Sequence, residues 1–302
     1  MTTVSVDLGG TNVKSALIKD GVIVESFSAP SRSDAGIRET LSAVEHVIMD
    51  WKNKSDIDGI GVAFPGIVDP AKKKVVSREG KFEDAWLFDF EGWARERFDL
   101  PLILENDALA AAAGEHAFGA AKGCGDFVLL ILGTGIGASA FMDGKPVRGK
   151  HNQAGITMGH VPRGGDRPCA CCGGVGCSES RASTWALGYM IAESPIDSPL
   201  KNETTPDFKL LKRYCEEGDA LAVSLFEECV SVWVDVILSL VYAYDPELVV
   251  LSGGVLKWGN ELFDRIKKGV LEKAWTEWGA LRFAAASDPD ASVVLGLHEL
   301  AK

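Results

Sequence analysis

"VDLGGTNVKSALI" runs from Val6 to Ile18, and its reading decides the fold. An alternating, β-rich stretch, TTVSVDLG, leads into Gly9-Gly10, and strand character resumes at VKSALIK. A dinucleotide fingerprint or a Walker-type phosphate loop must open a helix. Here the glycine turn joins two strands, so its glycines bring backbone N–H groups close to an anion within a hairpin. Thr11 and Asn12 add side-chain donors, and Asp7 can hold a metal-bound water. A plain hairpin turn is the alternative.

Working outward, the chain turns again at Asp20-Gly21 before VIVESFS, which completes a β-meander. Ser33-Asp34 reads as a helix cap. Ile37, Leu41, Val44, Ile48 and Trp51 follow at helical spacing and predict an amphipathic helix. IDGIGVAFPG predicts a buried strand ending in a Pro-Gly turn at Gly66, and PLILEND another strand. Asn106 sits where that strand should give way to the helix DALAAAAGEHAF. Asp107, at the same junction, could accept a hydroxyl proton while Asn106 orients the same substrate. Alternatively one of the two merely caps the helix.

The pattern then restarts. FVLLILGTGIGASAFMDGKPV is again strand, glycine turn, strand and Asp-Gly turn. Its glycines 133, 135 and 137, with Thr134, mimic a Rossmann motif, but strand follows them, so a helix-dipole pyrophosphate site is disfavoured. A long helix over Leu221 to Tyr244, with Val230, Val234, Ile237 and Val241 on one face, runs into ELVVLSGGV and the pair Gly253-Gly254. Two meander-plus-helix halves imply an internally duplicated α/β protein with a cleft between them. Three strand-to-glycine turns imply a nucleotide held across that cleft.

Composition narrows the partners. The chain has 302 residues, 46% hydrophobic and 25% charged, with a formal net charge of −12. That charge argues against a nucleic-acid or anionic-membrane partner. MTTVSVDLGG lacks the basic and apolar regions of a signal peptide, and the apolar stretch from Cys229 to Tyr244 is interrupted by Asp235. The chain therefore reads as cytoplasmic, where clustered cysteines bind metal or do chemistry more often than they form disulfides.

Four of seven cysteines fall within "CACCGGVGCSES", Cys169 to Ser180. His160 lies just upstream, and one imidazole with three thiolates makes a closed, structural zinc site. Cys172 and Cys177 enclose a flexible Gly-Gly-Val-Gly loop; a redox pair within Cys169–Cys172 is the alternative. Cys124, Cys215 and Cys229 are scattered and read as small hydrophobes.

Taken in order, these motifs resemble the ROK family of repressors and sugar kinases, within the actin-like ATPase superfamily. VDLGGTNVKSALI looks like its first phosphate motif, ILGTGIGASAFMDGKPVRG its second, LVVLSGGV its adenosine motif, LENDALAAAAGE its sugar and catalytic-base motif, and MGH…CCGGVGCSE its zinc signature. The resemblance implies two ribonuclease H-like (actin-like ATPase) α/β domains flanking a nucleotide and sugar cleft. Residues 1–116 with 286–302 would form the smaller N-terminal domain, and 117–285 the larger one. It implies ATP with Mg²⁺ bound by Asp7, Gly9, Gly10, Thr11, Asn12, Lys14, Gly133, Thr134, Gly135, Gly137, Gly253 and Gly254. Asp107 would be the general base, and Gly66, Asn106, His160 and Glu179 would hold the sugar. The reaction would move the γ-phosphoryl of ATP to a hexose, usually at its 6-hydroxyl, in a protein that the family suggests is a homodimer. The family's regulators carry a helix-turn-helix region ahead of the phosphate motif, for which the first dozen residues here leave no room.

Two departures matter. The family reads G-E-x-G-H before the cysteines, whereas this chain reads I-T-M-G-H, so Thr157 stands where a sugar-binding Glu is expected. The family's first zinc cysteine falls on Ala170, between Cys169 and Cys171. The C-x-x-C spacing favours Cys169 with Cys172, Cys177 and His160, and Cys171 is the alternative.

Overall fold

The computed structural model describes residues 1–78 and 81–302. Its elements open with β1 (Thr2–Leu8), β2 (Asn12–Lys19), β3 (Val22–Pro30), α1 (Ile37–Lys54) and β4 (Gly59–Phe64). Two short strands follow, β5 (Val68–Asp69) and β6 (Lys74–Val75), then α2 (Phe90–Phe98), β7 (Leu102–Asn106) and α3 (Asp107–Phe118). The chain continues through β8 (Phe127–Leu132), β9 (Ile136–Met142), β10 (Lys145–Pro146), α4 (Glu179–Ala182), α5 (Thr184–Glu193) and α6 (Phe208–Glu216). It ends with α7 (Ala220–Tyr244), β11 (Leu248–Ser252), α8 (Asn260–Lys273), β12 (Arg282–Ala285) and α9 (Ser292–Leu300).

The duplication expected from the motifs is present in the topology. The two five-stranded sheets run β3-β2-β1-β4-β7 and β10-β9-β8-β11-β12, the same order position by position. In each, the central strand pairs antiparallel with its hairpin partner (β1 with β2, β8 with β9) and parallel with the next strand inward (β4, β11). Both meanders turn on Asp-Gly: Asp20 and Gly21 have φ of 49° and 81°, Asp143 and Gly144 of 51° and 70°. Left-handed backbone at both positions is the turn that matches strand twist, and Asp-Gly tolerates it best. Two compact units result, residues 1–125 with 144–154 and 286–302, and residues 126–143 with 155–285.

In the first unit the period-two alternation of β1 sends Val4, Val6 and Leu8 to one face, where they join Ile37, Leu41, Val44, Ile48 and Trp51 of α1 in one core. The helical face read from spacing is therefore the buried face. Its cap is not the one expected. Ser33 and Asp34 lie in a turn, Gly36 (φ 97°) occupies the cap position, and the first amide, Ile37 N–H, is met by both carboxylate oxygens of Asp84 at 2.9 and 3.2 Å. A loop far along the chain supplies an acceptor that sequence neighbours do not.

The other face of the sheet is covered by α9. His298 Nδ1 meets Thr3 Oγ1 at 2.7 Å, where the hydroxyl oxygen accepts, and Gly21 N–H donates to His298 Nε2 at 3.1 Å. That second bond fixes Nδ1 as the protonated nitrogen, so the buried ring is neutral. α3 packs on α9 through glycines. A Cβ at Gly296 would collide with the Ala110 carbonyl oxygen, and one at Gly114 with that of Ser292. The helices approach backbone to backbone, and Glu115, 1% exposed, bridges the pair by accepting from Ser292 Oγ and from Ser287 N–H.

In the second unit Val230, Val234, Ile237 and Val241 of α7 are buried as their spacing predicts. Trp233 in the same helix donates its indole N–H to Ala182 O at 2.8 Å. Among the described residues no helix is long and apolar enough to cross a membrane. Cys124 and Cys229 are buried and Cys215 is half-buried.

The α3–α9 crossing should be intolerant of a single methyl. Gly296→Ala is expected to lower stability by about 1–3 kcal/mol in urea unfolding. Gly254→Ala, where nothing lies within 4 Å of the new Cβ, should stay within about 0.5 kcal/mol. Equal stability of both variants would show that the crossing relaxes.

Candidate active site and metal centre

The β7–α3 junction divides two tasks between two neighbours. Asn106 keeps extended backbone and caps α3, its Oδ1 accepting from Leu109 N–H at 3.0 Å. Its Nδ2 donates to Gly66 O and to Asp107 Oδ1, both at 3.0 Å. Asp107 Oδ1 also accepts from Ala108 N–H at 2.8 Å. Both of these bonds to Asp107 fall on Oδ1. The cap is thus the work of Asn106, and Asp107 Oδ2 takes part in neither bond. Glu105, missed in the sequence, underpins the junction: its Oε1 accepts from Asn106 N–H at 2.8 Å, and its Oε2 pairs with Arg148 Nη2 at 2.6 Å. Gly66 lies beneath Asn106, with room for a Cβ closed by Ser77 Oγ at 2.5 Å.

The first glycine turn lies in the same unit. Asp7 lies next to the end of β1, opposite Lys14 of β2, and Lys14 Nζ pairs with Asp290 Oδ1 at 2.5 Å. Thr11 and Asn12 are exposed. A Cβ at Gly9 would sit 2.5 Å from Asn12 O, so the turn is closed tightly on itself. Burial pushes the Asp107 carboxyl above the usual carboxylate range. Burial and then the Asp107 charge push Asp7 up to about 7, against the opposing charges of Lys14 and Lys81. Two buried carboxyls held above their usual range, one beside the glycine turn and one at the head of α3, form a place prepared for added positive charge. Lys81, absent from the motif reading, runs the end of its side chain across Gly10, where it occupies the space that a Cβ would take.

A raised folded-state pKa means the unfolded chain ionises Asp7 more readily, so wild-type stability falls as pH rises from about 4 to about 7. Asp7→Asn removes that penalty. In the metal-free, nucleotide-free protein its melting temperature should exceed wild type by a margin that widens from pH 5 to pH 8. A margin independent of pH would mean that Asp7 titrates as an ordinary carboxylate.

In the second unit the turn between β8 and β9 is closed by Gly133 N–H donating to Gly135 O at 3.0 Å. Thr184 donates from both N–H and Oγ1 to Gly133 O, at 3.2 and 2.8 Å, which ties the turn to the start of α5. Nothing lies within 4 Å of a Cβ at Gly133 or Gly254, so their backbone is open to an approaching group. Gly137 lies within β9. Gly253 (φ 100°) packs against Leu132 O at the end of β8. Glu179, read as a sugar ligand, has a local task as well. Its Oε2 accepts from Ile136 N–H at 2.8 Å, its Oε1 from Trp185 Nε1 at 3.1 Å, and it closes the space over Gly135. Each oxygen keeps a second lone pair for a further donor.

His160 ends a short 3-10 turn, Met158–His160, that presses Gly159 onto the Ile136 carbonyl; Thr157 sits half-buried at its start. His160 Nδ1 is 3.8 Å from Cys169 Sγ and 3.7 Å from Cys177 Sγ. Ligand atoms of His160, Cys169, Cys172 and Cys177 all lie within 4.8 Å of one another. Cys171 instead falls in a smaller group with His160 and Glu179, so the C-x-x-C choice matches the four-ligand geometry. Cys171 N–H points at Cys169 Sγ at 3.4 Å. The surrounding loop is held by Cys169 N–H to Gly174 O (2.8 Å) and Ser178 N–H to Val161 O (3.0 Å). A hydrogen bond from Cys169, aided by His160, pulls the Cys177 thiol down to about 3, while the Cys169 thiol is pushed up. Burial alone would push the imidazole down; hydrogen bonds with Cys171 and Cys177 and the Glu179 charge outweigh it and push it up to about 11. Thiols this close compete for one proton unless a cation replaces it, which suits a soft divalent ion.

The model of the ROK family matches residues 3–302. A glucokinase from Halalkalibacterium halodurans is 30% identical over 283 residues, covering 88% of this chain and 84% of its own. A xylose repressor from Bacillus spizizenii is 26% identical over 221 residues, covering 73% of this chain and 54% of its own. The crystal structure of a ROK family glucokinase from Streptomyces griseus, in complex with glucose and AMPPNP, superposes with a TM-score of 0.83 at 25% identity, over 99% of each chain. From residue 3 to its last residue, in motifs and in both sheets, this chain belongs to the ROK family.

Proposed function

We propose that the protein is an ATP-dependent sugar kinase in which Asp107 is the general base. The observation that carries this reading is the division of work at the β7–α3 junction: Asn106 caps the helix and Asp107 keeps Oδ2 for a hydroxyl proton. The sugar oxygen attacks the γ-phosphorus of ATP, its proton passes to Asp107, and ADP leaves with the electron pair of the broken P–O bond. Such transfer depends on positioning and charge neutralisation more than on covalent chemistry. Mg²⁺, when bound near Asp7, would offset phosphate charge. The glycine backbones at positions 9, 10, 133, 135, 253 and 254 give phosphate and nucleotide the close approach that a side chain would block.

The metal centre serves this reading from a distance. His160, Cys169, Cys172 and Cys177 suit a closed tetrahedral zinc site, which leaves no open position for catalysis. Zinc would fix the loop between His160 and Glu179, two residues that we assign to the sugar. Thr157, in place of the family's Glu, offers a neutral, shorter group to the sugar edge around C1 and C2. A sugar needing a charged acceptor there would forgo roughly 1.5–3 kcal/mol. We therefore assign a hexose substituted or differently configured at that edge, ahead of plain glucose.

The deciding experiment is coupled ADP release over glucose, its epimers, N-acetylated hexosamines and glycosides. Asp107→Asn should lower kcat on the best of these by roughly two to four orders of magnitude while calorimetry still detects sugar binding. Sugar binding without ADP release in wild type would favour a sugar sensor, the activity class of the repressor relative.

Freshly purified protein should carry about one zinc per chain. Cys172→Ser and Cys177→Ser should lose it and weaken sugar affinity, whereas Cys171→Ser should keep it. Zinc lost on replacing Cys171 and retained on replacing Cys169 would reverse the ligand assignment.

A further inference from the structure

We propose that Lys81 is a further catalytic residue, whose ammonium contacts the phosphoryl group as it passes from ATP to the sugar. The inference rests on the kinase reading above and adds to it a residue that none of the family motifs contains.

Three features lead to it. The first is position. Cδ, Cε and Nζ of Lys81 all lie over the α-carbon of Gly10, so near that a Cβ there would meet each of them. The ammonium therefore stands at the glycine turn where backbone is bared for an anion. The second is charge. The Lys81 cation acts on both Asp7 and Asp107, opposing the effect of burial on each. It thus lies near the proposed base and near the carboxylate beside the phosphate turn. The third is freedom. Lys81 is only half-buried, and among the described residues no ion pair or hydrogen bond holds its ammonium. Most of the protein's other half-buried cations are tied down: Arg148 to Glu105, Lys14 to Asp290, Arg181 to Glu228.

A lysine suits this task. Its ammonium is a compact point charge with three rotatable donors on a flexible stem, able to follow a group that moves. In the transfer, the sugar oxygen forms a bond to the γ-phosphorus as the bond to the ADP oxygen breaks, and negative charge spreads over the three equatorial oxygens. A cation that meets those oxygens as the charge spreads stabilises that state more than the ground state, and removing one such donor typically costs about 10²–10³ in rate. A lysine that served only as counter-ion to Asp7 and Asp107 would act on stability and leave nucleotide discrimination alone.

The test compares wild type with Lys81→Met, a second neutral replacement Lys81→Gln, and Lys81→Arg. Two quantities are measured in the presence of Mg²⁺: the ratio of affinities for AMPPNP and ADP by calorimetry, and kcat and KM on the best hexose of the panel. We expect both neutral variants to keep their circular dichroism and their ADP affinity, to lose the preference for AMPPNP, and to lose roughly 10²–10³ in kcat with sugar KM nearly unchanged. Lys81→Arg should recover part of both. Folded neutral variants with wild-type AMPPNP preference and kcat, or with a lowered melting temperature as their sole change, would overturn the role of Lys81 and leave the kinase reading standing. A wild type that binds neither nucleotide and releases no ADP with any sugar would overturn the kinase reading, and this proposal with it.

Discussion

A helix cannot begin without acceptors for its first amides, and at the head of α3 that obligation shapes the candidate active site. The strand β7 delivers Asn106 and Asp107 together, and either could cap. Because Asn106 does so, its side-chain amide is also drawn to Gly66 O and Asp107 Oδ1, and these contacts hold the carboxylate by one oxygen. Glu105 secures the backbone one residue earlier, and Arg148 neutralises Glu105. The rest of the first unit keeps this junction rigid. The helix that starts here is locked to α9 by two glycines that admit no side chain, and α9 in turn rests on the sheet that carries Asp7.

Much of this was legible in the sequence because it is local. Strand alternation and Gly9-Gly10 between two strands are enough to exclude a helix-opening phosphate loop, and the same logic applied at Gly133–Gly137 gives the second hairpin. Repeated order of strand, turn and strand, with Asp-Gly at the same place in each half, makes the duplication visible in the sequence. The buried faces of α1 and α7 follow from spacing alone. What escaped the sequence is contact at long range. Ser33-Asp34 looked like a cap, yet the acceptor came from Asp84. Lys81 over Gly10, Arg148 on Glu105 and His298 under the sheet join residues whose separation along the chain carries no pattern.

The cysteine cluster shows a different limit. Spacing left Cys169 and Cys171 both open, and three-dimensional convergence favours Cys169, while Cys171 spends its N–H on the Cys169 sulfur. Glu179, just past the last of these cysteines, gives both carboxylate oxygens to donors around the second glycine turn. The loop that brings the thiols together thus also sets the backbone at Gly135. This link between metal loop and glycine turn is absent from any single motif.

The proposed transfer turns on a carboxylate, Asp107, that must be ionised to act and that burial makes harder to ionise. The most direct measurement is the pH dependence of kcat/KM for the best hexose. Because the proposed base works only when deprotonated, and burial raises Asp107 and, with the Asp107 charge, raises Asp7 to about 7, activity should fall as pH drops through a midpoint clearly above the ordinary carboxylate value of about 4. A profile that stays flat down to about pH 4, in protein that is folded throughout, would contradict it.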